Sequence, residues 1–300
     1  SHWLFDSFLF LEIMDTGTGG ANKMFAKGYN LESANQADWT KLIDYYFQSE
    51  TGIGALDASV KEASAILGTP RQKRQIVISI PEPIVYQHPE QASSSTKYWG
   101  KIDNQTLDFS NSADRIKACK WYIDQVRAKF NEKNYQHVEL AGFYWLAEKA
   151  TDTRDILNAV AIYLNKLKYS FNWIPYYGAD GYNQWKSLGF NYAYFQPNYF
   201  FNESVPDSRL EDACQKALTY DMHMELEFDD NALNSRGKAY RLKNYMSAFK
   251  KHGIWEKKRL AYYQGSASLL TLKKSGNAAD TQLYHEFCNF VISRPIRSSH

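Results

Sequence analysis

The stretch MHMELEFDD, Met222 to Asp230, decides how this sequence folds. Its alternate residues form two sets: Met222, Met224, Leu226 and Phe228, and His223, Glu225, Glu227 and Asp229. Alternation with period two marks a β-strand, whose side chains point to opposite faces in turn. One face is apolar, and the other carries three carboxylates and an imidazole. Like charges in one row repel, so at least one carboxyl is expected to titrate high unless a cation or a donor compensates. Such a row is tolerable in a buried strand only near an end that water or substrate reaches.

Outward from that strand, apolar runs alternate with helix-like stretches along the chain. Strands are predicted at Leu4–Ile13, Gln75–Ile80, HVELAGFYWLAE, FNWIPYY, NYAYFQPNYFF, HMELEFD and RLAYYQGS. Between them lie helical patterns such as ADWTKLIDYYFQ, TRDILNAVAIYLNKLKYS and SADRIKACKWYIDQVRAKFNEKN, the last with Ser112 as its expected N-cap. Strand–helix alternation implies crossover connections and a parallel sheet. No glycine-rich phosphate loop follows any strand, which argues against a dinucleotide-binding open sheet. The expected fold is therefore a (β/α)8 TIM barrel, although it needs eight strands and the sequence shows about seven.

Composition narrows the function. The formal net charge is +2, from 35 basic and 33 acidic residues, so there is no electrostatic case for nucleic acid. No run reaches the roughly 18 apolar residues of a membrane span. Cys119, Cys214 and Cys288 lie in helical patterns without a CxxC and are read as small buried hydrophobes. Aromatic residues make up 16 %, and core packing explains most of them. Where Tyr and Trp share segments with carboxylates they also suit a sugar cleft, because aromatic faces stack on pyranose C–H faces.

In a barrel, chemistry sits at the C-terminal ends of the strands. That rule gathers Glu12, Glu82, Glu148, Glu227 and Asp229 at the mouth, with Glu225 one layer deeper. Tyr144, Trp145, Tyr176, Tyr177, Gln196, Asn198 and Tyr262 are expected beside them as substrate-binding residues. Asp6, Phe8, Phe10 and Glu12 share the expected inward face of the first strand. Acids among aromatics at a barrel mouth point to glycoside chemistry: one carboxylic acid protonates the leaving oxygen, and one carboxylate attacks or activates water. His223, Glu225 and Glu227 also have the donor types of a metal site, but no second histidine falls at another strand end. No GxSxG elbow is present.

The segments HWLFDSFLFLEI, GIGALD, IPEP, YWGKIDNQTLDFS, GFYWLAE, IPYYGADGYNQWKSLGFNYAYFQPNYFF and MELEFD resemble a family of gut Bacteroidetes proteins known as a domain of unknown function and regarded as a sugar-active barrel. The resemblance spans essentially the whole chain. It implies a single (β/α)8-barrel domain over residues 1–300 that lacks its first strand, because the family carries a further strand-like segment before WLFDSF. Counted that way, GFYWLAE is the fourth strand and MELEFD the seventh. Large groups of retaining glycosidases carry the acid/base after the fourth and the nucleophile on the seventh, which implies Glu148 and Glu227. Those enzymes usually have Asn before the acid/base, where this chain has Ala147, and this keeps Glu12, Glu225 and Asp229 as substitutes. The expectation is a secreted, periplasmic or cell-surface glycoside hydrolase acting on an oligosaccharide or polysaccharide without cofactor or metal. A non-catalytic glycan-binding barrel and a metal-dependent hydrolase are the rival readings.

Overall fold

The structure, a computed structural model, describes residues 2–20 and 22–295. The described chain divides into two compact units, Trp3–Trp173 with Gln184–Asn191, and Ile174–Asn183 with residues 192–295.

The first unit is built on four parallel strands, β1 (Ser7–Phe10), β2 (Arg74–Ile80), β3 (Val138–Trp145) and β4 (Ser170–Trp173), each paired with the next. Ile76, Ile78, Ile80, Phe143 and Phe171 are fully buried, as strands covered on both faces require. A register shift between Ile76 and Val77 brings Gly142 opposite Val77. Only glycine fits there, since a Cβ at Gly142 would lie 2.1 Å from Ser170 Oγ. The helices of this unit are α1 (Gln36–Tyr46), α2 (Ile53–Leu67), α3 (Ser112–Lys133) and α4 (Arg154–Lys166). Helix α1 opens on a reciprocal cap: Asn35 Oδ1 accepts from the Asp38 N–H, and Asp38 accepts from the Asn35 N–H. Trp39, Leu42, Ile43 and Tyr46 then recur at helical spacing on its buried face. Phe10, expected on the inward face of its strand, packs edge-on against Tyr46 of α1.

Helix α3 is capped one residue earlier than expected. The Asn111 side chain accepts from the Ala113 N–H, while the Ser112 hydroxyl is drawn to Asp155 at the start of α4. The polar stretch before α3 is not a free loop. Trp99 and Phe109 are buried in it, and Trp99 meets Trp39 and Trp121 edge-on at 5.2 and 5.5 Å.

The second unit carries β5 (Tyr192–Phe195), β6 (His223–Glu227) and β7 (Leu260–Tyr263), again parallel, with β6 in the middle. Its helices are α5 (Ser208–Thr219), α6 (Ala239–Lys251), α7 (Ile254–Lys257), α8 (Ser268–Lys274) and α9 (Ala278–Ile292). Cys119 and Cys214 are buried on α3 and α5, and burial pushes both thiols up to about 12. Among the described residues, no helix is long and apolar enough to cross a membrane.

Candidate active site

Strand β6 has the two faces that its alternation predicts. Met224, Leu226 and the following Phe228 are fully buried. Phe228 packs on Phe287 of α9 at 5.2 Å, so this face looks onto helices. The opposite row is His223, Glu225 and Glu227. His223 lies between Tyr192 and Tyr194, with ring centroids 5.7 and 5.4 Å away, and its Nδ1 accepts from the Arg259 N–H at 3.1 Å.

Both glutamates are more deeply placed than a solvated mouth would allow: Glu227 is only 2 % exposed, and Glu225 is also buried. A buried carboxylate needs donors to offset lost hydration. Glu227 has one in the Tyr245 hydroxyl, which donates to its Oε2 from the buried face of α6. Burial, with Glu227 next, raises the Tyr245 pKa well above that of an ordinary phenol, so the proton stays on the phenol.

Asp229 has a structural duty. Its Oδ1 accepts from the Asn231 N–H at 2.8 Å and its Oδ2 from the Asn231 side chain at 3.1 Å, capping the short helical turn Asp230–Ala232. The tyrosine of β7 that joins the carboxylates is not Tyr262. In the parallel ladder Leu226 pairs with Tyr262, and Glu227 with Tyr263. Tyr262 therefore shares the apolar face and packs edge-on against Phe287 at 5.6 Å. Tyr263 is 49 % exposed. Its pKa is raised, by burial first and then by the charges of Glu225, Asp229 and Glu227.

The polar residues after β4 and β5 brace a loop. Gln196 Nε2 donates to the Ile174 carbonyl at 2.8 Å, and Asn198, at φ 49°, accepts from the Tyr177 N–H at 2.8 Å. Tyr176 is bridged to Gln196. Tyr177 is turned onto α5, where its hydroxyl donates to Asp212 and Arg209 covers its ring at 3.8 Å. This tyrosine, expected to meet substrate, is consumed in packing.

In the first unit, the expected sugar-facing pair Tyr144 and Trp145 is buried. Trp145 donates to the Thr153 hydroxyl at 3.3 Å and packs against Phe171. Glu148 stands three residues beyond β3 and is half-buried. Glu12, two residues beyond β1, is half-buried too; burial raises its pKa, and a hydrogen bond with Tyr45 opposes that.

Glu82, in the Pro81–Pro83 stretch after β2, is deeply buried. It is 5 % exposed, and burial pushes its carboxyl up to about 7. The Lys27 N–H donates to its Oε2 at 2.7 Å and works against that rise. The charges around it come from the loop after β1 (Lys27) and the loop after β3 (Lys149 and Asp152). Lys27, Tyr245 and Tyr263 were missed in the sequence because each depends on tertiary placement. Among the described residues, no group of three or more His, Cys, Asp and Glu side chains is gathered as a metal site requires.

Parallel strands with helices packed on their apolar faces define the class, an α/β protein. The structure resembles a Bacteroides thetaiotaomicron protein assigned as an alpha-L-fucosidase, at 14 % identity and TM-score 0.50, over 96 % of this chain and 93 % of that one. It also aligns with a family 18 chitinase from Crocus vernus at 10 % identity and TM-score 0.43, over 77 % of each chain. The chain belongs to the family described as Domain of unknown function (DUF4855), whose model matches residues 1–289. A sequence search of curated proteins gave no match.

Proposed function

We propose that this protein is a glycoside hydrolase that cleaves a carbohydrate by the two-carboxylate mechanism, with Glu227 as nucleophile and Glu148 as acid/base. The observation that carries the reading is Glu227 itself: a buried carboxylate at the end of a parallel strand, held by a buried phenol. The phenol holds Oε2 by its hydrogen bond, and the Glu227 carboxylate is assigned to attack the anomeric carbon. In the first step Glu148 gives its proton to the leaving oxygen as the C–O bond breaks and Glu227 forms a glycosyl ester. In the second, Glu148 takes a proton from water, which displaces Glu227 and restores both groups. Tyr263, beside the carboxylate row and half in solvent, is assigned to substrate contact. The fucosidase-like fold supports the substrate class. The proposal includes a barrel of the (β/α)8 type, with the parallel strands β1 to β7 as seven of its strands.

The test is a screen of the purified chain against p-nitrophenyl glycosides and neutral oligosaccharides, with Glu227→Gln as control. Release of sugar or nitrophenol by the parent and not by the variant is expected. Equal release by both removes Glu227 from the chemistry.

A further inference from the structure

The segment 81–91 of the first unit forms two neighbouring hollows that the catalytic assignment does not use. The smaller, about 80 Å³, has Glu82 in its wall with Lys27, Asp152, Tyr86 and Pro89. The larger, about 240 Å³, is lined by Asn22, Asn30, Glu32, His88 and, again, Pro89. At about 30 Å³ per water, the first has room for roughly three small groups of atoms.

Both hollows are firmly built. The Glu82 N–H donates to the Phe25 carbonyl at 2.8 Å, and the Tyr98 hydroxyl to the Ile84 carbonyl at 2.6 Å. The Ser33 hydroxyl donates to the Tyr86 carbonyl at 2.7 Å, and its N–H to the Gln87 carbonyl at 2.8 Å. Glu82 Oε2 is occupied by the Lys27 N–H, while Oε1 accepts no hydrogen bond from the described residues and belongs to a side chain in the pocket wall. The lysine in the wall of the hollows, Lys27, is already matched with Asp152 at 3.1 Å, and the wall carboxylate Glu32 with Lys23 at 2.6 Å. An anionic ligand would find no unpaired lysine or arginine among these lining residues. A neutral polyol would find a carboxyl, amides and an imidazole to exchange hydrogen bonds, and the Tyr86 ring to lie against.

We propose that residues 81–91, with Lys27, Asn30 and Glu32, form a subsite for a neutral sugar unit, with Glu82 donating a hydrogen bond from Oε1 to a sugar hydroxyl or hydroxymethyl group in the small pocket and the polar hollow beyond Pro89 taking the ring. The inference rests on the glycoside hydrolase reading, and it makes Glu82 a binding residue rather than the acid of the reaction. A carboxyl donates only while protonated, and burial pushes Glu82 up to about 7. Lys27, Lys149, Asp152 and the Tyr98 phenol are the charged and titratable groups that act on it.

The experiment is calorimetric titration of the full chain with a panel of neutral mono- and disaccharides, carried out in the Glu227→Gln background so that nothing is turned over. Binding is expected to weaken about tenfold from about pH 6 to about pH 9, the change that loss of one hydrogen bond produces. Adding Glu82→Gln, which keeps a donor, should preserve affinity and remove the pH dependence. Adding Glu82→Ala should cost about tenfold, and adding Asn30→Ala, at an exposed position that cannot threaten folding, about threefold. Sugar binding that neither Glu82→Ala nor Asn30→Ala alters overturns the subsite and leaves the glycosidase reading standing. If no sugar binds and the parent chain releases none from any glycoside, both fall.

Discussion

Replacing Tyr245 by Phe removes a single oxygen, and its effect measures how strongly the fold holds Glu227. Both partners are buried, with Glu227 2 % exposed, so water does not screen the contact or replace the lost donor. A hydrogen bond to a charged group contributes about 1.5–3 kcal/mol, and taking about 2 kcal/mol gives a melting point lower by roughly 4–8 °C. The charge is the source of most of this energy. In a Glu227→Gln background the same change should therefore cost only about 1 kcal/mol, the strength of a neutral hydrogen bond. Urea unfolding of the parent, both single variants and the double variant completes the cycle, with an expected coupling of about 1 kcal/mol. A Tyr245→Phe cost below about 0.5 kcal/mol, or an equal cost in both backgrounds, refutes the account of how Glu227 is held.

Glu82 should make stability depend on pH. Its carboxyl is raised from 4.5 to about 7, so the folded state binds the proton more tightly; stability should fall by about 3 kcal/mol as pH rises between those values and level off above, because the raised value favours the protonated fold. Urea unfolding across that range checks it, and Glu82→Gln should flatten the slope; an unchanged slope in that variant contradicts the assignment. Asp229→Ala should cost about 1 kcal/mol through loss of its turn cap while leaving turnover within about threefold, and a large loss of kcat would return Asp229 to the catalytic candidates. Glu148→Gln should slow glycosides with poor leaving groups far more than aryl glycosides, which need little protonation; equal slowing of the two counts against an acid role.

The strand–helix alternation was legible because it depends on local pattern alone. MHMELEFDD predicted which side chains face the helices, and Met224, Leu226 and Phe228 do. Tyr262 was taken for Tyr263 because the choice depends on the register of β7 against β6, and parallel strands joined through helices carry no turn that fixes register in the sequence. Tyr245 sits at helical spacing with Leu242, Met246 and Phe249 and reads as plain core; only the packed structure shows its hydroxyl on Glu227. The two prolines around Glu82 marked a stiff loop, but its burial comes from Phe25 and Lys27, more than fifty positions earlier. Ser112 and Asn111 are both good caps, and the helix uses Asn111 because Asp155 claims the serine hydroxyl. Tyr144, Trp145 and Tyr177 have the composition of a sugar cleft and are spent on packing, which composition alone does not distinguish.

The most direct test of the central claim is the turnover of Glu227→Gln on an aryl glycoside that the parent chain hydrolyses. Replacing the nucleophile should reduce kcat by at least about a thousandfold while affinity for the sugar changes little, since transition-state stabilisation is lost and ground-state contacts remain. Azide should restore turnover to Glu227→Ala, giving the glycosyl azide of inverted configuration. A Glu227→Gln variant that turns over the aryl glycoside near the parent rate contradicts the account.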